Sequence, residues 1–540
     1  MTGVARISYP AVRLLRIVRI AAVTTGHLMS DWHAGYTAET SYTYGYYTEL
    51  NPLRSQLLML HAGIMPPKVG TACELGFGQG ISVNIHAAAA TTRWYGNDFN
   101  PAQAAFAQEL ADAAGSGAVL SDESFQDFCG RSDLPDFDYI GLHGIWSWIS
   151  PENQRTIVSF LGRKLKPGGV LYISYNTDAG WAAMAPIRAL LHQHGRVMSL
   201  PGQDVRTRVA SALSFVQRMM DTTPRYLLAN PASAARLQQL GELDPNYLAH
   251  EYFNSHWQAA PFSAIAPVLG EAKLEFAASA AYPDHVDPLN LTPEHLAFLA
   301  HIPDATLREV TRDFLVNRQF RHDYWVKGAR RLHAVEQAAA LRAVRMLLVL
   351  PRAAVTMTVA GSLGEAAMDE DLYAPVLDVL ADHRIHTLAE LEQGVQGKAV
   401  TLSDLLQIVL VLAHKNCISL VQDDATIALA RPTTDRLNRH LLQQALGRTD
   451  LAALASPVTG GGVGVLHLQQ LFLLARSQGL RTLEEWAMFV WQAFQPLQQG
   501  MVRNGVALAT REENLAEIVQ HAEHFRSTGL PILQALGIAD

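Results

Sequence analysis

The feature that most constrains the fold is a glycine-rich turn directly after a short apolar run. The segment Thr71–Gly80 reads TACELGFGQG, and a helical pattern follows it. Glycine turns the backbone sharply and lets it approach a ligand that a Cβ atom would exclude. A strand that leads through such a turn into a helix predicts a ligand cleft at the end of a parallel strand.

Strand-like and helical stretches alternate along this part of the chain. The apolar patterns that indicate helices lie at 53–64, 101–115 and 151–166, and those that indicate further strands lie at 93–100, 137–143 and 168–176. This alternation predicts an α/β fold with a doubly wound, Rossmann-like parallel sheet. After Ala182 helical patterns dominate, which predicts mainly helical accessory domains.

Composition narrows the possible partners. The net charge is −8 and no block of Lys and Arg resembles a phosphate-binding surface, so a nucleic-acid partner is not expected. No stretch approaches the roughly 20 apolar residues that cross a bilayer, which argues against membrane insertion. The three cysteines are scattered, which favours a cytoplasmic protein without a disulfide framework.

The glycine turn carries an acidic residue two positions before its first glycine. Its spacing is GxGxG, at Gly76, Gly78 and Gly80, whereas dinucleotide-binding folds usually show GxGxxG. This pattern suits the amino-acid end of S-adenosylmethionine: Glu74 would act on the methionine ammonium, and the glycines would leave room for the chain. A plain glycine turn is the alternative.

Asp98 strengthens the nucleoside interpretation. It lies at the end of the next strand pattern, at a spacing close to that of a ribose-binding acid. A carboxylate accepts hydrogen bonds from both ribose hydroxyls. Phe99 would flank the adenine, and Asp122 would accept from the adenine amine, with Ser124 as a weaker candidate. The alternative for Asp122 is a helix N-cap.

Two aromatic-rich turns follow later strand patterns, at His143–Trp148 and Tyr175–Trp181. Ligands of open α/β sheets bind at the carboxyl ends of the strands. Aromatic faces shelter cations, including a sulfonium. We therefore predict a methyl-transfer chamber at these turns, although packing in the core is an equal alternative for Trp146 and Trp148.

A lysine acceptor would need a particular set of side chains there. An aromatic, desolvated pocket formed by Tyr175, Trp181 and Trp146 would lower the pKa of the amine. Asn176 would orient the amine. His143 would accept a proton or hold the turn, and it would also border the cofactor.

At these motifs the chain resembles bacterial class I methyltransferases with a methyltransferase regulatory domain, which include the rickettsial protein lysine methyltransferases that act on outer-membrane proteins. The resemblance covers about residues 40–330. It rests on the tyrosine-rich segment Tyr42–Tyr47, ELGFGQG, NDFNP, the HG turn, SYNT with GW, HEYFNSHW and FRHDYWVKG. It implies S-adenosylmethionine as cofactor, with Tyr46 among the contacts. Ala179 and Phe77 depart from the usual family residues and put the substrate in doubt.

Composition, the change of pattern along the chain and the resemblance together predict four regions. We predict a disordered or mis-started extension at 1–28, a cofactor-binding catalytic domain at 29–195, a helical methyltransferase regulatory region at 196–335, and a C-terminal helical domain at 336–540. Within the last region, the helices and strand predicted near 373–423 are typical of a winged-helix unit. The histidines and acid of HEYFNSHW lack HExxH spacing, so we interpret them as family framework and predict no metal.

Three functions remain possible at this stage. The favoured hypothesis is methylation of lysine side chains in a protein, such as an envelope or surface protein, by an enzyme for which a homodimer is a candidate assembly. The second is O-methylation of a glycan or small molecule, for which His143 would be the general base. The third is a non-catalytic scaffold that binds S-adenosylmethionine.

Overall fold

A computed structural model describes residues 43–540 except 201, 242, 244 and 399. The extension predicted at 1–28 lies outside the described residues.

The described residues form sixteen strands. Their bounds are β1 Thr71–Leu75, β2 Arg93–Asn97, β3 Val119–Ser121, β4 Phe137–Leu142, β5 Leu165–Asn176, β6 Leu274–Ser279, β7 Phe320–Lys327, β8 Arg345–Leu348, β9 Thr358–Gly361, β10 Gly364–Ala367, β11 His386–Thr387, β12 Ile418–Leu420, β13 Ala453–Ser456, β14 Gly461–Gly464, β15 Val502–Arg503 and β16 Val506–Ala507.

The same residues form twenty-four α-helices. Those of the first half are α1 Pro52–His61, α2 Ile81–Ala89, α3 Pro101–Ala114, α4 Phe125–Gly130, α5 Pro151–Lys164, α6 Asp178–Trp181, α7 Ala185–Met198, α8 Val205–Asp221, α9 Arg225–Ala229, α10 Pro231–Leu240, α11 Pro245–Phe253 and α12 Phe262–Gly270. Those of the second half are α13 Asp287–Asn290, α14 Pro293–Ala300, α15 Ala305–Leu315, α16 Ala334–Arg342, α17 Glu370–Leu380, α18 Leu388–Gly394, α19 Leu402–His414, α20 Asp424–Gln444, α21 His467–Ser477, α22 Leu483–Phe494, α23 Arg511–His524 and α24 Leu530–Ala535.

Local sequence explains where the helices around the sheet begin. Before α1, α3 and α5 stands a capping residue followed by proline, and the caps Asn51, Asn100 and Ser150 accept a hydrogen bond from a backbone N–H of the first turn. Such a cap contributes about 1 kcal/mol, and proline is preorganised for the first helical position.

Seven strands form the central sheet in the order β3-β2-β1-β4-β5-β7-β6. Neighbours are parallel except at β7, which runs antiparallel to both β5 and β6. The predicted α/β fold with a doubly wound, Rossmann-like sheet is confirmed. The chain order reverses direction between β1 and β4, and the crevice at the carboxyl ends of such a pair is where open α/β sheets bind ligands.

The sheet extends beyond the region predicted for the catalytic domain. Residues 29–195 supply β1 to β5, whereas β6 and β7 come from the region predicted to be helical. The helices α7 to α12 lie between these two groups of strands in the chain. The regulatory region therefore belongs in part to the central sheet.

The C-terminal region packs directly on the sheet-flanking helices. All nine residues of α2 are buried, because α20 and the hairpin β13–β14 cover it. Ile81 and Ile85 of α2 and Leu110 of α3 share one apolar cluster with Leu437 and Leu441 of α20. Helices α2 and α3 therefore pack between the central sheet and α20 of the C-terminal region.

The predicted winged-helix segment contains α17, β11, α18, α19 and β12 in that order. The two strands pair antiparallel with β8, which is the middle strand of a three-stranded sheet and precedes the predicted segment. The three-stranded sheet of this segment is therefore complete only when β8, which begins at Arg345, is included. No described helix has the length and apolar character that a membrane crossing requires.

Candidate active site

A cleft opens at the carboxyl ends of β1, β2 and β4, where the order of the sheet reverses. It encloses about 1240 Å³ when its open mouth is included. Segments that are far apart in the chain line it: the strand ends, residues 43–47, the loop after β4 and helix α11.

The glycine turn after β1 forms the floor of this cleft. Gly76 has φ +71°, and a Cβ atom there would lie 2.4 Å from Ile145 Cδ1. The N–H groups of Gly76 and Phe77 donate to the Asn97 carbonyl at 2.8 and 3.2 Å, which ties the turn to the end of β2. Gly78 also has a positive φ, of +59°. L-residues adopt this backbone conformation at a cost, so the turn requires glycine.

Asp98 lies directly after β2 and is buried. Its Oδ2 accepts from Gly78 N–H at 2.8 Å, and its Oδ1 accepts from Asn100 N–H at 3.0 Å. Burial raises its pKa to about 7, although these two hydrogen bonds act in the opposite direction. Since a carboxylate has about four lone-pair sites, two acceptor sites remain for a ligand.

Glu74, at the end of β1, is the second buried acid of the cleft. Only 3% of its surface is exposed, and its Oε2 has no hydrogen-bond partner among the described residues. Burial, and secondarily the charge of Asp98, raise its pKa to about 8. An unpaired buried carboxylate is costly, and a cationic ligand would offset that cost.

Two of the three residues predicted around the adenine reach the cleft. Phe99 and Ser124 line it, together with Phe125, which the sequence analysis did not single out. Ser124 is the N-cap of α4 and accepts from Asp127 N–H. Asp122 is exposed and does not line the cleft, and the N-cap of α4 is Ser124 rather than Asp122. The adenine contact of Asp122 stays a prediction.

His143 lies after β4, at the cleft wall. Its ring stacks on that of Tyr47 with centroids 3.9 Å apart, and its Nδ1 shares a 2.8 Å hydrogen bond with the hydroxyl of Tyr172. Burial, followed by the neighbouring His322, lowers the pKa of His143 to about 3. The imidazole is therefore neutral at physiological pH.

Helix α11 contributes residues that the sequence analysis treated as framework. His250, Glu251 and Asn254 line the cleft, with His256 shortly beyond them. The only signal for them in the sequence was the polar cluster HEYFNSHW. The described residues contain no group of three or more His, Cys, Asp or Glu side chains placed to hold a metal ion.

Charge distinguishes this cleft from an anion site. Among the described residues that line it there are three carboxylates, those of Glu74, Asp98 and Glu251, and neither lysine nor arginine. The cleft therefore favours cationic groups and disfavours phosphates.

Sequence comparison assigns the family. A family model described as "Predicted methyltransferase regulatory domain" matches residues 244–327. The uncharacterized protein sll1526 of Synechocystis sp. is 37% identical over 513 residues, which span 94% of this chain and all of that protein. The chain belongs to the bacterial class I S-adenosylmethionine-dependent methyltransferases with a methyltransferase regulatory domain.

Two further comparisons agree with the fold of this methyltransferase. The uncharacterized protein RP028 of Rickettsia prowazekii is 28% identical over 218 residues, which span 38% of this chain and 86% of that protein. The structure of PKMT2 from Rickettsia typhi in complex with AdoHcy superposes with a TM-score of 0.67 at 18% identity, and covers 90% of this chain and 98% of that one. The shared architecture thus extends through the C-terminal region.

Tyr46 of the methyltransferase does not line the cleft. Its hydroxyl lies 3.1 Å from His86 Nε2, and its ring lies against Gly462 of the C-terminal hairpin. Alternate residues of this extended segment face opposite sides, so that Tyr47 borders the cleft instead. Of these two tyrosines, the structure places Tyr47 at the cleft and Tyr46 outside it.

Tyr175 is fully buried away from the cleft. Its hydroxyl donates to Asp323 Oδ2 at 2.9 Å, next to the guanidinium of Arg321. The pattern of side chains along β5 explains this: Tyr172 and Ser174 face the His143 turn, whereas Tyr175 packs on the other side. The structure therefore gives Tyr175 a contact between strands rather than one with the acceptor.

Asn176 and Trp181 also lie outside the lining of the cleft. The indole N–H of Trp181 donates to Asn176 Oδ1 at 3.0 Å, and Trp181 packs among the helices α7 to α11. Trp146 is buried in the core, whereas Trp148 borders the cleft. Of the residues predicted for catalysis, the structure brings only His143 to the cleft.

Proposed function

We propose that the cleft binds S-adenosylmethionine through Glu74, Asp98 and the glycine turn, and that the enzyme methylates lysine side chains of proteins. The observation that carries the proposal is a pair of buried carboxylates at the ligand-binding ends of β1 and β2, in a cleft that no lysine or arginine of the described residues lines. The bound cofactor supplies a methyl group on a cationic sulfur, which is already activated for transfer.

The two carboxylates fit the two polar ends of that cofactor. The unpaired Oε2 of Glu74 suits the methionine ammonium, as a charge-assisted hydrogen bond. The remaining acceptor sites of Asp98 suit two ribose hydroxyls. Gly76 and Gly78 keep the floor between them open. The similar PKMT2 of Rickettsia typhi has a structure with AdoHcy, which supports this use of the cleft.

The charge of the cleft favours an amine acceptor. A lysine ammonium is attracted to a wall that carries carboxylates and no lysine or arginine among the described residues, whereas a phosphorylated acceptor is repelled. The aromatic faces of Tyr47 and Trp148 border the same space. They reduce hydration of the acceptor, which favours the neutral amine that methyl transfer requires.

The role of His143 is mainly structural, because its side chain forms part of the cleft lining. Its ring is fixed between Tyr47 and Tyr172 and is neutral, since burial keeps its pKa at about 3. A base that weak is poorly matched to deprotonate a hydroxyl at neutral pH. This argues against the O-methyltransferase hypothesis.

Transfer of labelled methyl into a cell lysate tests the proposal. The lysate is incubated with the purified chain and labelled S-adenosylmethionine, and then separated into protein, saccharide and small-molecule fractions. We expect label in protein, at lysine. Label confined to the other fractions would favour O-methylation, and binding of cofactor without any transfer would favour a scaffold.

Other parts of the proposal concern the setting of the enzyme. An envelope or surface protein as acceptor, a cytoplasmic location and a homodimer stay predictions. The extent of the accessory regions supports a large acceptor, because residues 196–540 exceed what a small molecule requires.

A further inference from the structure

Arg188 of α7 binds the C-terminal end of helix α11, which borders the cleft and packs on α7 and α8. The Nε of Arg188 donates to the Glu251 carbonyl at 3.1 Å, and its NH2 group donates to the Asn254 carbonyl at 3.3 Å. The guanidinium lies between two indoles, 4.6 Å from the centroid of Trp257 and 5.5 Å from that of Trp148. This clamp satisfies carbonyls at the end of α11 and fixes the side chains that the helix presents to the cleft.

Glu251 is the one acidic side chain that α11 contributes to the cleft lining. Its carboxylate makes no hydrogen bond or ion pair to any described residue, although Arg188 and Arg236 lie close enough to affect it. The guanidinium of Arg188 is instead directed at backbone carbonyls, and that of Arg236 lies 5.0 Å from the ring centroid of Trp181. The protein thus places a carboxylate in the cleft without using it for its own structure.

We propose that Glu251 binds the ammonium group of the acceptor, so that the regulatory region completes the active site. This inference rests on the proposed function and deepens it, because it identifies the acceptor as a cation that enters opposite the strand ends. Glu74 and Asp98 are assigned to the cofactor, which leaves Glu251 as the carboxylate of the cleft that is available to an acceptor.

The same carboxylate accounts for the proton of the acceptor. One N–H bond of the ammonium breaks and one O–H bond forms on Glu251, which leaves a neutral amine beside a neutral carboxylic acid. The proton then passes to water at the open mouth of the cleft. Burial raises the pKa of Glu251 to about 7, against the opposing effects of Arg188 and Arg236. That value is close to neutral pH, where a proton acceptor works best.

Equilibrium binding tests the inference without turnover. The full-length chain is saturated with S-adenosylhomocysteine and titrated with a five-residue peptide that has blocked termini and one central lysine. A peptide with norleucine in that position is the control for the charge. We expect Glu251→Gln to lower affinity for the lysine peptide about tenfold or more.

A matched variant controls for the loss of an acid from the same region. Glu271 is exposed at the end of α12, outside the cleft lining, so Glu271→Gln should bind the lysine peptide as the wild type does. Both variants should keep the melting temperature and the affinity for S-adenosylhomocysteine. If Glu251→Gln unfolds, Glu251→Asp, which keeps the charge, should restore both folding and peptide binding.

The pH dependence gives a second readout. His250 and His256 line the same cleft as Glu251. The charged or titratable groups that interact with Glu251 electrostatically are Arg188 from α7, Arg236 from α10, and Tyr247 and Tyr252 from its own helix. None of them changes charge near pH 7, because burial raises the pKa values of both tyrosines. With the cofactor site saturated, affinity for the lysine peptide should therefore rise more steeply through about pH 7 in the wild type than in Glu251→Gln. The difference between the two profiles isolates Glu251, because both proteins keep His250 and His256.

The outcomes separate this inference from the proposed function. Equal affinity of wild type and Glu251→Gln for the lysine peptide, or equal affinity of the wild type for both peptides, would overturn the role of Glu251. The labelled-lysate experiment does not depend on that result. Transfer to lysine with unchanged peptide binding in Glu251→Gln would keep the function and remove this residue from it.

Discussion

Two sets of buried carboxylates differ in how the protein compensates them. In the first, Arg321 donates to both oxygens of Asp313 and of Asp323 at 3.0–3.2 Å. In the second, Asp98 accepts from two backbone N–H groups, and Glu74 Oε2 has no hydrogen-bond partner among the described residues. Burial raises the pKa values of all four acids.

The difference separates a structural use of charge from a ligand site. The Arg321 cluster joins β7 to α15, and the hydroxyl of Tyr175 completes it from β5. Its charges are satisfied within the fold. The pair in the cleft has no counter-charge among the described residues that line it. A buried acid without a protein cation thus indicates a site for a cation or a strong hydrogen-bond donor.

Removing the cation from the compensated cluster should have the largest effect. Arg321→Met leaves Asp323 buried without its counter-charge and Asp313 with only the more distant Arg318, 3.9 Å away. We expect the free energy of unfolding to fall by about 3–5 kcal/mol. Urea denaturation measures this. Folded Arg321→Met should still bind S-adenosylhomocysteine. A stability loss below about 1 kcal/mol would show that the cluster does not hold the sheet together.

Removing an acid from the uncompensated pair should make the free protein more resistant than the wild type to loss of stability at high pH. Because burial raises the pKa of Glu74 from 4.5 to about 8, its contribution to stability is fully present below 4.5 and is lost as pH rises through 8. Between pH 5 and pH 8.5, the free wild type should lose about 1–3 kcal/mol more than Glu74→Gln does. Urea denaturation at the two pH values measures the difference.

The same variant should bind the cofactor more weakly. We expect Glu74→Gln to lower affinity for S-adenosylmethionine by about tenfold or more, because the ammonium loses a charged partner. Asp323→Asn serves as the contrast, since it should lose stability and keep affinity. The assignment of the two clusters would be reversed if Asp323→Asn lost cofactor affinity and Glu74→Gln lost only stability.

The smallest effect should come from Tyr175→Phe. The change removes one hydrogen bond to Asp323 and should lower stability by about 1–2 kcal/mol. Cofactor affinity and turnover of the folded variant should stay unchanged. A drop in turnover at full stability would instead support the hypothesis, made from sequence, that Tyr175 contacts the acceptor.

The residues predicted for the two carboxylate contacts and the glycine turn lie together in the cleft, and the sequence signals for them are local. Glu74 and the glycines lie in one strand-turn-helix segment, and Asp98 follows the next strand at a recognisable spacing. The residues at the acceptor end of the cleft were harder to predict from the sequence. In a strand buried on both faces, the sequence does not indicate which face each side chain takes, and a shift by one residue exchanges Tyr175 for Ser174.

Long-range contacts account for the other differences. Strands β6 and β7 follow an insertion of helices, so the alternation that identifies a parallel sheet is interrupted before them. Glu251 reaches the cleft from α11, about 175 residues beyond the glycine turn, because Arg188 of α7 anchors that helix. No local pattern contains that information.

The most direct test of the central claim is calorimetric titration of S-adenosylhomocysteine into wild type, Asp98→Ala and Asp112→Ala. Asp112 is an exposed acid on the neighbouring helix α3 and controls for the loss of charge. We predict that Asp98→Ala binds about 100-fold more weakly or not at all, because two charge-assisted contacts to the ribose are lost, and that Asp112→Ala binds as the wild type does. Equal affinity of wild type and Asp98→Ala would contradict the claim that the uncompensated acids hold the cofactor.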